Sequence, residues 1–374
     1  MALKIVLSGG GTGGHLFPLI TVAKKLKELA QTDGKEVEFI FIGPDGNLET
    51  QIMEENNIKK KKIFCGKLRR YFSFHYFIDI LKIPLGFFQA FWHLLWFMPD
   101  AVFAKGGFAS VPVVVAAKLL FIPVLIHESD SVPGLANKFL GSLANRVAIN
   151  FKRAEIYFPP HKTFIAGVPV KDTAIGGNKE EARSFLKMKK EIKPVVLFLG
   201  GSQGAKIINE KVVFNIDALV KKYQIVHQTG ISGYEDAVKE AERRGYKIGH
   251  SDYFPISFVG KELKDIYALA DVIVSRAGAT NIAEIAANGK PLILIPIENS
   301  ANDHQRINAF EVARGKAAFV LEEENFSINT LLHTLDQIFR DENIRMKLSE
   351  NIRKFYYPEA SEKIGREVLN LASN

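Results

Sequence analysis

Short apolar runs that end in glycine recur along this chain, and each is followed by a stretch with helical spacing. Residues 4–8 predict a strand; glycines follow, and residues 16–30 then place Leu19, Ala23, Leu26 and Leu29 on one side of a helix. Residues 37–42, 101–104, 124–127 and 147–149 predict further strands, with helices over 111–120 and 134–143 between them. The pattern restarts at Pro194. Strands are predicted at 194–199, 224–227, 258–259, 272–275 and 292–296, and helices at about 205–222, 261–270, 281–288 and 303–315. Strand alternating with helix predicts parallel sheets covered on both faces.

The expected fold class is therefore α/β, with two doubly wound domains. A first domain is expected over 1–166 and a second over 167–357. The Pro- and Gly-rich stretch 159–178 is the expected hinge. A last helix over 359–371 could pack on either domain by its residues alone, and we expect it to return to the first.

Composition narrows the function classes. A chain of 374 residues with 47% hydrophobic residues has length and apolar material for two cores. Its net charge of +8 points to an anionic partner: nucleic acid, anionic lipid or a phosphorylated ligand. Cys65 is the single cysteine, which excludes an internal disulfide and fits a reducing compartment. The first strand starts too early for a signal-peptide core, so a cytoplasmic location is expected. Residues 72–98 are dense in aromatic and aliphatic side chains, but Asp79, Lys82 and Pro84 argue against a spanning helix.

Chemistry concentrates where strands meet helices. The first loop reads Ser8-Gly9-Gly10-Gly11-Thr12-Gly13-Gly14-His15. Glycines let a ligand approach the backbone, and the helix start offers amide donors. Gly9, Gly11 and Gly14 formally fit a dinucleotide fingerprint, yet Asp45 is a poor match for its ribose-binding acid. His15 sits where a general base could act. The second loop, Gly200-Gly201-Ser202-Gln203-Gly204-Ala205-Lys206, lacks the spacing of an ATPase loop and suits a diphosphate. A third loop carries Gly106 and Gly107, and a fourth reads His127-Glu128-Ser129-Asp130. In the second half, Glu284 follows Ser275–Thr280 and could accept ribose hydroxyl protons, while Asn302, Asp303, His304, Gln305 and Asn308 suit sugar hydroxyls. Each has a plainer reading as a turn, a cap or a solvated loop. Bases other than glycosyl transfer stay open at this level: a nicotinamide-dependent oxidoreductase on Gly9–Gly14, or a nucleotide-sugar sensor without activity.

In order along the chain, Gly10–His15 with Pro18, Gly106-Gly107-Phe108 with Pro112, His127-Glu128 with 132–137, Gly200–Lys206 with Asn209, His227–Gly230, Ser275–Ala279 and Asp303-His304-Gln305 resemble the MurG family of glycosyltransferases. The resemblance implies a GT-B fold, two Rossmann-like domains facing a cleft, with UDP-GlcNAc as donor and lipid I as acceptor. It implies inverting transfer of GlcNAc to the 4-hydroxyl of MurNAc, forming lipid II, with no cofactor and no metal. By resemblance, Ser202 and Gln203 contact the diphosphate, Glu284 the ribose, Val259 the uracil and Gln305 the sugar. Further donor contacts are implied at Thr12, Gly13, Gly14, Asp130 and Lys171, with Gly10, Gly11, Gly106 and Gly107 as acceptor phosphate loops and His15 as the base. Two segments depart from the family: Val168-Pro169-Val170-Lys171 replaces Asn-Pro-Val-Arg, and His127-Glu128-Ser129-Asp130 replaces His-Glu-Gln-Asn. Another GT-B transferase, such as one acting on diacylglycerol, is the rival enzyme.

A membrane reading has its own support. Lys59–Lys62, Lys67, Arg69 and Arg70 precede the aromatic stretch 71–98, a pairing that suits an anionic bilayer better than nucleic acid. Peripheral attachment at the cytoplasmic face is expected, with other cell-wall synthesis proteins as partners.

Overall fold

The computed structural model describes residues 2–66, 74–188, 193–200, 205–249, 251–298 and 300–373. The chain divides into two compact units, one of residues 1–170 and 357–374, the other of residues 171–356.

The first unit holds β1 (Leu3–Ser8), β2 (Val37–Gly43), β3 (Lys59–Lys62), β4 (Ala101–Ala104), β5 (Val124–Glu128), β6 (Arg146–Ile149) and β7 (Thr163–Ile165). They form one parallel sheet in the order β3-β2-β1-β4-β5-β6-β7. Alternation decides which face each side chain covers. Ile5 and Leu7 enter one core with Leu16, Leu19 and Leu26, while Val6 enters the other with Val102 and Val113. The C-terminal helix Ala360–Ser373 belongs to this unit and buries Ile364 and Val368 in the first of these cores. A Cβ on its Gly365 would stand 3.2 Å from Leu29 Cδ1, so glycine permits that close approach.

The second unit holds β8 (Val195–Leu199), β9 (Gln224–Gln228), β10 (Tyr253–Ile256), β11 (Val272–Ser275), β12 (Leu292–Leu294) and β13 (Phe319–Val320), in the order β10-β9-β8-β11-β12-β13. Both sheets thus run outward in two directions from their first strand. Each has a topological switch point, β1/β4 in one and β8/β11 in the other, where open sheets bind ligands.

Several elements differ from expectation. The third strand of the second sheet is Tyr253–Ile256, not 258–259. Pro255 lies within it and is tolerated because β10 is an edge strand. The expected helix over 205–222 is broken into Lys206–Phe214 and Ile216–Val220, with Asn215 between them at φ −124°. The stretch 159–178 is not a plain linker, since it supplies β7, the opposite edge of the first sheet from β3. The four lysines 59–62 themselves form edge strand β3, a position where lysine discourages pairing with another chain.

The aromatic stretch forms a helix, Phe74–Phe97. Ala90 and Leu94 are buried, and Phe87 and Phe91 pack on the core. Along the same helix Leu85, Phe88, Trp92 and Trp96 face outward, with Trp96 72% exposed. Among the described residues no helix is long and apolar enough to cross a membrane. Lys67, Arg69, Arg70, Tyr71 and Phe72 lie outside the described residues, as do the side chains of Phe74, Tyr76 and Phe77.

Candidate functional site

In the first unit the loops that follow β1, β4 and β5 converge at the switch point. Gly10 and Gly11 have φ of 143° and 90°, which a side chain would strain. Gly11 N–H donates to Glu49 Oε1 at 2.8 Å, a buried carboxylate that pins this loop. Thr12 is extended, and the helix Gly13–Thr32 starts directly behind it. His15 Nδ1 donates to Gly10 O at 3.1 Å. That bond fixes the tautomer and leaves the lone pair on Nε2.

Gly107 carries φ 78° and ψ 174°, and a Cβ there would lie 3.2 Å from His15 Cε1. The β1 and β4 loops therefore touch through an imidazole and a bare Cα. Gly106, at φ 90°, closes against Asn137, leaving no room for a Cβ. Asn137 Oδ1 accepts from Gly107 N–H at 3.3 Å, and its Nδ2 donates to Glu128 Oε2 at 2.8 Å. Glu128 Oε1 accepts from Asp130 N–H at 2.8 Å.

Charge is stacked unusually deep here. Lys105 is fully buried, and its Nζ donates to Ser129 Oγ at 2.9 Å. Burial lowers its pKa, against the pull of Glu128 and Asp130. Burial, reinforced by Asp130, pushes Glu128 up to about 7, with Lys105 opposing. His127 donates Nε2–H to Gly167 O at 2.9 Å, and its buried Nδ1 has no partner among the described residues. Burial first, then Lys105, holds His127 well below its ordinary value. Of the residues expected from sequence, His15, Gly10, Gly11, Thr12, Gly13, Gly14, Gly106, Gly107 and Asp130 all lie on these three loops or their helix start. Lys105 and Glu49 were not expected, and Asn137 had entered only within the family match, without a role. The signal for Lys105 was a lysine ending an apolar strand, where an unpaired charge is costly.

In the second unit, Ser202 and Gln203 lie outside the described residues. Glu284 is buried and accepts from Tyr267 Oη at 3.1 Å. It stands in the second turn of the helix Ala279–Asn288, so it is not a first-turn capping acid. Burial raises its pKa and Lys171 opposes the shift, which places those two expected residues within electrostatic reach. Val259 is buried just beyond β10. Gln305 Oε1 accepts from Ile297 N–H at 3.3 Å. Arg276 ties the neighbouring loops together: its Nη1 meets Glu323 Oε1 at 2.6 Å and Ile295 O at 3.1 Å. Asn308 Nδ2 donates to Ala277 O at 3.1 Å, so it braces the loop rather than facing solvent. His227 is buried between Tyr253 Oη and Asn209 Oδ1, at 2.9 and 3.0 Å, and burial lowers its pKa to about 3.

Two doubly wound parallel sheets set the architecture, and comparison with known proteins makes the class specific. The glycosyltransferase family 28 N-terminal domain matches residues 5–149, and the family's C-terminal domain matches 195–363. A protein of Clostridium novyi named "UDP-N-acetylglucosamine--N-acetylmuramyl-(pentapeptide) pyrophosphoryl-undecaprenol N-acetylglucosamine transferase" is 36% identical, over 92% of this chain and 92% of its own. A Clostridium perfringens protein of the same name is 35% identical over 98% and 96%. The fold matches a crystal structure of Acinetobacter baumannii MurG at a TM-score of 0.74, with 23% identity over 98% and 99% of the two chains. It also matches a Neisseria meningitidis UDP-GlcNAc 2-epimerase at a TM-score of 0.69 and 12% identity, covering 99% and 100%. The chain belongs to the MurG family within glycosyltransferase family 28.

Proposed function

We propose that this enzyme transfers GlcNAc from UDP-GlcNAc to the 4-hydroxyl of MurNAc in lipid I, giving lipid II and UDP. The observation that carries this reading is the near full-length match to transferases named for that reaction, at 36% identity. The second unit is the donor domain in this reading. Glu284 takes the ribose hydroxyls, backbone at Val259 the uracil, Gln305 and Lys171 the sugar side, and Ser202 and Gln203 the diphosphate.

The first unit handles the acceptor. The Gly106-Gly107 and Gly10-Gly11 turns approach its phosphates, and Thr12, Gly13, Gly14 and Asp130 complete the donor contacts from that side. His15 Nε2 takes the proton of the 4-hydroxyl. The oxygen then attacks the anomeric carbon, the bond from that carbon to the diphosphate oxygen breaks, and configuration inverts. Support for His15 is its tautomer, fixed by the bond to Gly10 O. No metal or cofactor enters this scheme.

The enzyme is a peripheral protein of the cytoplasmic face in this account. The outward stripe Leu85, Phe88, Trp92 and Trp96 enters the bilayer interface. Charge support is narrower than the sequence implied, because Lys60 is committed to Asp45 at 2.8 Å. Lys59 also meets Glu38 at 3.7 Å and Lys62 meets Asp45 at 3.5 Å, which leaves Lys61 as the outward-facing candidate on β3. Other cell-wall synthesis proteins would meet it there.

The test is transfer of radiolabelled sugar to a short-chain lipid I analogue. Label from UDP-GlcNAc but not UDP-GalNAc should appear in lipid II. Transfer to diacylglycerol with none to lipid I would favour the rival transferase, and UDP-GlcNAc binding without UDP release would favour a sensor.

A further inference from the structure

The β4 loop carries a cation that the proposed chemistry does not use. Lys105 closes β4, and its side chain runs inward rather than to solvent, 2% exposed, with its Cβ 3.3 Å from where a Cβ of Gly9 would stand. Its Nζ donates to Ser129 Oγ at 2.9 Å, while Ser129 O accepts from Asn150 Nδ2 at 3.1 Å. Ser129 sits between two acids, Glu128 and Asp130, and both act on Lys105 electrostatically. A buried ammonium survives only beside compensating negative charge. Two neighbouring carboxylates likewise need a cation if both are to stay ionised. One ammonium therefore serves two carboxylates in a single cluster that keeps a net negative charge when both acids are ionised.

That cluster is joined to the base by an unbroken path. Glu128 Oε2 accepts from Asn137, Asn137 Oδ1 accepts from Gly107 N–H, and Gly107 Cα abuts the His15 ring. Asn137 can hold this orientation only while Glu128 acts as an acceptor toward its Nδ2. We infer that Lys105 is a positioning residue for the transfer: its ammonium keeps Glu128 an ionised acceptor, and Glu128 through Asn137 and Gly107 fixes the place of the His15 imidazole.

Glu128, Asp130 and His127 come from the β5 end, and His15 comes from the helix behind the first loop. His127 stays neutral through burial and the nearby Lys105 charge. Glu128, pushed up to about 7, is thus the member that changes charge near neutral pH. Loss of Lys105 removes the one influence from a cation that holds Glu128 down, so its protonation moves to higher pH. Loss of the Asp130 charge does the opposite.

The inference rests on the transferase reading, and its test separates the two. Full-length wild type, Lys105→Met, Asp130→Asn and the double variant are assayed for kcat/KM toward a lipid I analogue across pH 5.5–9. In parallel, the Glu128 carboxyl is titrated by carbon NMR without substrate. Lys105→Met should shift the acid limb upward by about one pH unit, a loss of roughly fivefold at pH 7 that approaches tenfold at the acid end of the range. The double variant should bring the limb back toward wild type, and Asp130→Asn alone should shift it downward. A packing role for Lys105 would lower turnover equally at all pH values and leave the limb in place, which overturns the inference. Should Lys105→Met fail to fold, the Asp130→Asn shift decides: an unmoved limb and an unmoved Glu128 titration overturn it. A wild type that titrates Glu128 as described but forms no lipid II refutes the transferase reading alone.

Discussion

Replacing Gly107 by alanine strikes the contact that joins the first two loops. Gly107 has φ 78° and ψ 174°, a region that residues with a Cβ scarcely occupy. Forcing alanine into it costs about 1–3 kcal/mol. The new methyl would also lie 3.2 Å from His15 Cε1 and 3.3 Å from Nδ1. Either the ring gives by a few tenths of an ångström, lengthening its 3.1 Å bond to Gly10 O, or the loop moves. A misplacement near 1 Å can cost about a hundredfold in rate, so a shift of tenths predicts about a tenfold fall in kcat. For a unit of this size each kcal/mol lowers Tm by about 2–4 °C, which gives a fall of about 2–12 °C. Gly245→Ala is the control. It has φ 87° and no atom within 4 Å of the added Cβ, so it should lose stability by strain and keep kcat. His15→Ala sets the floor for loss of the base, about a hundredfold or more. The assay is UDP release with saturating donor, alongside thermal unfolding. Wild-type kcat in Gly107→Ala, with the Tm loss present, would refute the placement of His15 against this loop.

Three more expectations extend the account. Glu284→Gln keeps an acceptor for Tyr267 but loses the charge offered to ribose; UDP affinity should fall about tenfold to a hundredfold with Tm nearly unchanged, and calorimetry showing wild-type affinity would remove Glu284 from the donor site. His227 has a folded pKa of about 3, below its unfolded value near 6.5, so its contribution is intact above pH 6.5 and lost as pH falls toward 3. By linkage this costs about 2 kcal/mol at pH 5, and His227→Gln should flatten the fall of stability between pH 8 and 5; equal slopes would contradict the assignment. Trp92→Glu with Trp96→Glu removes two exposed apolar side chains, and sedimentation with anionic vesicles should weaken at least about tenfold, whereas unchanged binding would discard the membrane stripe.

What the sequence showed follows from what kind of constraint each residue meets. Glycines at Gly10, Gly11, Gly106 and Gly107 were legible because positive φ and close approach leave few alternatives. The central strands were legible because burial on both faces demands unbroken apolar runs, as in Ala101–Ala104 and Val195–Leu199. Edges were not. Lys59–Lys62 has no apolar face, and Tyr253–Ile256 contains a proline, so each pattern argued against a strand that an edge position permits.

The site was half legible for a related reason. Loop glycines and His15 announce themselves locally. Lys105, Asn137 and Glu49 act through distant partners, and only the fold shows that Lys105 reaches Ser129, Asn137 reaches Gly107 and Glu49 reaches Gly11, 24, 30 and 38 positions away. Charge along a sequence also does not show that Lys60 is already paired with Asp45.

The central claim is that GlcNAc passes with inversion from UDP-GlcNAc to the 4-hydroxyl of MurNAc. It is tested most directly by NMR of the product formed from UDP-GlcNAc and lipid I. The account predicts a β-linked GlcNAc on C4 of MurNAc, with UDP released in equal amount. An α-linkage, or attachment at another hydroxyl, would contradict it.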